Sequence, residues 1–422
     1  MTESDIFISF GLTVLLAVGC QIVSQRVRIP AIVLLLPVGF LAGYSISSMN
    51  PAKSLGSAFS PLVALAVAIV LFDGGLDLEF RELEGHHQRV VRRLLYLGIP
   101  ITWAGGALLA RPLLGLSDQA AVMLGAIIVV SGPTVVAPLL SAARPGRRVS
   151  LILAWEGTTI DPFGAIIGAL AFQAFVNHPQ TGHGQEVFAF LHSIGVGVLG
   201  GVVGAGVLWL LLSKVRLTGV IATEAILAVV VGTAALCDAS RADTGLIAAI
   251  VMGVALANLP GIDLPEDRKF FRTIVQLVIG VLFISISATV TPASVRAVLG
   301  PTLLLIVGLV VIVRPLVAAV STLRTPLTVR ERAFIGWMDP RGIVAASTAA
   351  SFGAPLAAAG IAGADKLVPA TFLVIVGTVT LYGLTAAPVA HLLGLNDAEE
   401  SVLPAAHEAV HSSDDDDGEQ ST

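Results

Sequence analysis

Apolar runs long enough to cross a bilayer recur along this chain so often that they leave room for little else. A crossing helix needs about 20 mostly apolar residues. Thirteen such runs begin near Ile6, Pro30, Phe59, Leu94, Ala120, Leu151, Val187, Thr218, Asp243, Thr273, Val298, Ala333 and Leu367. Of 422 residues, 55% are hydrophobic and only 13% charged, with a mean hydropathy of +0.90. A soluble domain of that size has no interior large enough for so much apolar surface, so the solvent is lipid. The fold class that follows is an all-α polytopic membrane protein.

The basic residues sort the loops. Seventeen of the 24 Lys and Arg fall on the face where odd-numbered spans exit and five on the other, while Arg314 and Arg341 lie within spans. By the positive-inside rule this is a multi-pass protein of the cell membrane with its N-terminus outside and its C-terminus cytoplasmic. Residues 1–395 form the membrane domain. Residues 396–422, ending HSSDDDDGEQST, read as a disordered acidic tail, since a like-charge block without apolar periodicity buries nothing. The opening MTESDIFISF lacks the basic stretch of a cleaved leader, so the first run reads as a retained helix. A net charge of −5 offers no nucleic-acid face, and Cys20 and Cys237 sit inside apolar runs as free thiols. The sequence carries no Walker motif, zinc-ligand spacing or nucleophile triad, which argues against an enzyme and against a bound cofactor.

Seven ionisable residues then stand out at membrane depth: Asp73, Glu156, Asp161, Glu224, Arg314, Asp339 and Arg341. Charge in hydrocarbon is costly and marks function by default. In LILAWEGTTIDPFGAII, Glu156 and Asp161 stand about 140° apart on a helix of 3.6 residues per turn. They therefore do not share one proton, and each needs its own partner. Pro162 lacks the N–H owed to the carbonyl of Thr158. That carbonyl, the Asp161 carboxylate and the hydroxyls of Thr158 and Thr159 make an all-oxygen environment suited to a hard cation, Na⁺, K⁺ or hydronium. Two segments also break the helical pattern. VVSGPTVVAPLL puts Gly132, Pro133 and Pro138 into the fifth span, and WMDPRGIVAAS puts Pro340 and Gly342 into the twelfth. They stand an odd number of spans apart and enter the membrane with opposite polarity. An inverted repeat of spans 1–6 against 8–13 requires this, and broken helices in two such halves point to a transporter site.

These residues resemble the monovalent cation/proton antiporter superfamily, and within it the bacterial NhaP-type sodium/proton antiporters, relatives of the animal sodium/proton exchangers. The likeness covers all thirteen spans. Glu156 and Asp161 match the two acids of the family's sixth span, and LFDGGLDL matches its third-span acid at Asp73. Arg314 matches an eleventh-span arginine, and Arg341-Gly342 the twelfth-span break. The resemblance implies a homodimer in the bilayer that exchanges Na⁺ or K⁺, with Li⁺ a third candidate, for H⁺ by alternating access, on a fold in which two discontinuous helices cross. It implies that Asp161 binds cation and proton in turn and that Asp73 and Ser131 add ligands. It implies further that Glu156 and Arg314 form a structural ion pair and that Gly132, Pro133, Asp339, Pro340 and Arg341 stand at the helix crossing. Competition at one carboxylate is then enough to couple the two ions.

The chain departs from the family pattern at two places. Ile160 replaces an Asn whose presence tracks with stoichiometry, which leaves one-for-one exchange as the default. Gly132 replaces an acid that neutralises helix ends, and Asp339 reads as that carboxylate moved to the other break. The alternative is a cation-coupled solute symporter of similar fold, with an ion channel behind it. Few Asn, Gln or Tyr lie within spans to line a solute pocket, and no repeated carbonyl filter motif is present.

Overall fold

Hydropathy sets where a helix can sit, while caps and prolines set where it starts and stops. The computed structural model describes residues 3–27, 29–46, 49–51, 55–78, 86–176, 183–240, 244–259 and 265–395. The tail assigned to 396–422 lies outside the described residues. In chain order the helices are α1 (Glu3–Val27), α2 (Ala31–Ser45), α3 (Phe59–Leu76) and α4 (His86–Arg93, a π-turn at Leu94–Gly98, then Ile99–Leu114). Next come α5 (Asp118–Val129), α6 (Pro133–Ala143), α7 (Arg147–Val176) and α8 (His183–Trp209, extended by a π-turn at Leu210–Lys214). They are followed by α9 (Gly219–Ser240), α10 (Thr244–Asn258), α11 (Pro265–Ala288) and α12 (Pro292–Ser321, with a π-turn at Leu309–Val313). The last are α13 (Val329–Trp337), α14 (Ile343–Ala358) and α15 (Leu367–Leu392).

Eight of these, α1, α3, α4, α8, α9, α11, α12 and α15, are long and apolar enough to cross a membrane. The other five apolar runs of the sequence are α2, α7, α10 and the two broken pairs, α5 with α6 and α13 with α14. Several helices start earlier than their apolar run, α4 at His86 and not Leu94, α11 at Pro265 and not Thr273. The run marks only the part suited to hydrocarbon, and the polar first turns of the helix continue beyond it.

Local chemistry explains the breaks. Ser117 starts α5 by accepting from the Ala120 N–H at 3.3 Å. Val130 and Gly132 are extended, and Pro133 opens α6 at the position where a missing N–H costs nothing. Thr328 and Glu331 form a reciprocal capping box ahead of α13 (2.6 and 3.2 Å). Helix α13 ends at Trp337, because Met338 is extended and Asp339 precedes a proline, which disfavours helical backbone. Helix α7 runs through Pro162 without interruption.

The helices sort into two groups by packing. In one, α1, α2, α3, α8, α9, α10 and α11 pack on one another; in the other, α4 to α7 pack with α12 to α15. The groups meet where α2 touches α15, α3 touches α7 and α14, α10 touches α7, and α11 touches α14. Both broken pairs and α7, which carries Glu156 and Asp161, belong to the second group.

Candidate functional site

Helix α12 delivers Arg314 immediately after its π-turn, a feature found mostly at functional positions in helices. The guanidinium grips Glu156 in a fork, Nη1 to Oε1 at 2.5 Å and Nη2 to Oε2 at 2.8 Å. Its Nε donates to the Ile335 carbonyl at 2.9 Å, and Nη1 stands 3.8 Å from Asp339 Oδ1. Asp339 in turn accepts a hydrogen bond from Arg341 Nη2. Arg341 Nη1 donates to the Val129 carbonyl at 3.2 Å, one of the acceptors the end of α5 leaves without a helical donor, and its backbone N–H donates to Thr378 Oγ1 at 3.3 Å. Glu156, Arg314, Asp339 and Arg341 thus alternate in sign along one chain of contacts that ties α7, α12, the α13–α14 break and the end of α5. All four are buried. Buried ions persist only when paired and hydrogen-bonded, and the planar guanidinium suits that task.

Asp161 stands outside this network. Its side chain is 1% exposed, and neither carboxylate oxygen has a hydrogen-bond partner. Of the five charged side chains buried among the described residues, the other four form the network. What faces Asp161 is Gly132: a Cβ there would lie 2.9 Å from Oδ2 and 3.4 Å from Oδ1. A Cβ at Gly342 would lie 2.7 Å from the Gly132 nitrogen, so the two breaks cross in backbone contact beside this carboxylate. Gly132 and Gly342 are also the N-caps of α6 and α14, and each helix start carries about half a positive charge.

Other sequence-selected residues fall at different distances from this centre. The Thr158 hydroxyl donates to the Ala154 carbonyl at 2.9 Å. Thr159, two residues before Asp161, projects from nearly the opposite side of α7, and neither hydroxyl bonds the carboxylate. Ser131 is buried, and its carbonyl oxygen would lie 3.7 Å from a Cβ at Gly157, one helical turn before Asp161 on the same face. A cavity with room for about one water is lined by Ser131, Glu156, Gly157, Arg314, Asp339 and Pro340. Asp73 is half-buried in the last turn of α3, a helix that touches α7. Glu224 is exposed near the start of α9, which packs on α3, α8, α10 and α11. A far larger apolar groove of about 510 Å³, between α1, α3 and α11, holds none of the site residues.

Sequence reasoning passed over Thr378 and Tyr382. Thr378 receives the Arg341 N–H, and buried Tyr382 packs edge-on against Trp337 with ring centroids 6.1 Å apart. Their spacing of four puts both on one face of α15, the signal that was available.

Residues 12–392 match the family model described as sodium/hydrogen exchanger, transmembrane. The K(+)/H(+) antiporter NhaP2 of Shewanella sp. (strain ANA-3) is 24% identical over 383 residues, covering 88% of this chain and 64% of that protein. The chain therefore spans less than two thirds of that relative's length. The Na(+)/H(+) antiporter ApNhaP of Aphanothece halophytica is 25% identical over 397 residues, 89% of this chain and 72% of its own. Among solved structures, the sodium proton antiporter MjNhaP1 from Methanocaldococcus jannaschii at pH 8 aligns with a TM-score of 0.80 at 20% identity, over 93% of this chain and 100% of that one. That likeness establishes the antiporter fold.

Proposed function

Because this chain belongs to the sodium/hydrogen exchanger family, we propose that it exchanges a monovalent cation for protons across the membrane, with Asp161 binding the two in competition. One observation carries the reading: Asp161 is buried at the crossing of two broken helices, beside an ion network that leaves both of its oxygens unengaged. Glu156 is committed to Arg314 and Asp339 to Arg341, so these two carboxylates serve structure. A carboxylate in that position carries one proton or one alkali cation, and the default is one-for-one exchange. Asp73 and Ser131 are the remaining candidates for further oxygen ligands, since Thr158 gives its hydroxyl to the Ala154 carbonyl and Thr159 leaves α7 on nearly the opposite side from Asp161.

Alternating access follows if the protein changes state only when Asp161 is occupied. The group holding the breaks, α4 to α7 with α12 to α15, would rock against α1 to α3 with α8 to α11, and the thin set of contacts between the groups suits that motion. The placement of both breaks supports an inverted repeat. We read α1 to α3 with α8 to α11 as the scaffold of a homodimer, and the loop charges as orienting the N-terminus outside and the C-terminus in the cytoplasm.

The test uses purified protein in proteoliposomes with an imposed pH gradient, to which Na⁺, K⁺ or Li⁺ is added while lumenal pH is followed. Cation-driven collapse of the gradient, abolished by Asp161→Asn, is the expected result. Lowering the external pH should raise the apparent KM for the cation and leave the maximal rate unchanged, because protons occupy the same carboxylate. Equal exchange in Asp161→Asn would remove Asp161 from this role.

A further inference from the structure

Gly132 is not required by its backbone. Its φ of −96° and ψ of 150° describe extended chain that any residue adopts. Nor is it required by helix packing. The three atoms nearest a Cβ at 132 are Oδ2, Oδ1 and Cγ of Asp161, whereas a Cβ at Gly342 would run into the Gly132 backbone. So Gly342 lacks a side chain to let two breaks touch, and Gly132 lacks one only in the direction of the Asp161 carboxylate. Gly157, one turn earlier on the same face of α7, differs: a Cβ there would meet the Val136 side chain at 3.0 Å, so its missing side chain serves packing against α6. The missing side chain at 132 therefore borders a carboxylate that is 1% exposed and has both oxygens without a hydrogen-bond partner.

We propose that Gly132 determines cation choice: the space it leaves beside Asp161 seats the larger alkali cations, K⁺ as well as Na⁺, and a side chain at 132 would restrict the seat to smaller ones. The inference rests on the reading of Asp161 as the ion-binding group. Discrimination among cations of equal charge depends on cavity size and ligand number. One methylene more or less in a closed hydrophobic pocket changes discrimination by about 10- to 200-fold, and the same scale is taken for a methyl group that narrows this seat. The direction follows from size. Added bulk excludes K⁺ first, Na⁺ next and Li⁺ last.

The experiment compares exchange driven by K⁺, Na⁺ and Li⁺ in proteoliposomes for the unaltered protein, Gly132→Ala, Asp161→Glu and Asp161→Asn. Gly132→Ala narrows the seat from one side and Asp161→Glu from the other. The unaltered protein should exchange K⁺. In both narrowing variants the ratio of kcat/KM for K⁺ to that for Li⁺ should fall by about tenfold or more while Li⁺ exchange persists. If Gly132→Ala fails to give monodisperse protein, Asp161→Glu decides alone. A ratio unchanged in the narrowing variants, or an unaltered protein that exchanges Li⁺ and Na⁺ but not K⁺, overturns the inference and leaves the role of Asp161 standing if Asp161→Asn is inactive. Exchange retained in Asp161→Asn overturns both.

Discussion

The crossing of α5–α6 with α13–α14 and the seam between α3 and α10 both bring backbones into contact, and they do so by opposite means. At the seam, a Cβ on Gly253 would lie 2.3 Å from the Phe72 carbonyl oxygen, and one on Gly75 would lie 2.8 Å from that of Ile250. The residues closing it, among them Ala68, Phe72, Leu76, Ala249, Met252 and Leu256, are apolar. At the crossing, Gly132 and Gly342 touch beside the Asp161 carboxylate, and the chain of contacts from Glu156 through Arg314 and Asp339 to Arg341 ties the breaks to α7 and α12. Unbroken helices satisfy their own backbone groups, and in lipid they associate through close packing of small residues. Broken helices expose N–H and C=O groups that something must satisfy, as Arg341 does for Val129. Charge at the crossing therefore starts as a structural requirement of the breaks, and Asp161 is the charge left over from it.

The largest effect expected from this division comes from the central ion pair. Arg314→Met leaves Glu156 buried without its two-pronged partner, and removing one member of a buried pair costs about 3–5 kcal/mol. Thermal unfolding in detergent should show that loss. The double variant Glu156→Gln/Arg314→Met should recover part of it, since no uncompensated charge remains. A single variant as stable as the parent would mean the crossing does not depend on charge.

Asp339→Asn leaves Arg341 as the uncompensated charge, but the amide oxygen can still accept from it, so the cost should fall at the low end of the same range, about 3 kcal/mol. Arg314 keeps Glu156, and Arg341 keeps the Val129 carbonyl. On the reading that Asp339 replaces the acid missing at Gly132, exchange should also slow, because the two breaks lose a shared counter-charge. Unfolding temperature and exchange both unchanged would end that reading.

The helices themselves were legible in the sequence, because lipid forces each crossing segment to be continuous, apolar and about 20 residues long. The breaks were legible for a similar reason: Gly132 beside Pro133, and Pro340 with Gly342, combine a proline and a glycine against the helix, whereas the lone Pro162 is carried inside α7. Relations between segments were harder to read. Nothing in WMDPRGIVAAS says that Asp339 lies between two arginines, since one of them comes from α12. Gly132 could be recognised as a departure from the family pattern, but that its missing Cβ faces Asp161 depends on how α6 meets α7. Thr158 illustrates the opposite error. Proximity in sequence suggested a hydroxyl for Asp161, and the helix gives that hydroxyl to Ala154 four residues earlier, a local bond always within reach of a threonine.

Gly253→Ala sharpens the comparison from the other side and should have the smallest effect of the three, about 1–3 kcal/mol as for other overpacked sites. The added methyl meets the α3 backbone at Phe72, which cannot rotate away as a side chain would, so the two helices must separate by a fraction of an ångström. The loss should appear as a lower unfolding temperature that does not vary with pH or salt, because no charge takes part. Exchange per folded molecule should keep its apparent KM for the cation and its order of preference among cations. A changed cation KM in Gly253→Ala would place the seam in the path of ion handling. Charge would then no longer separate the part of this fold that handles ions from the part that holds still.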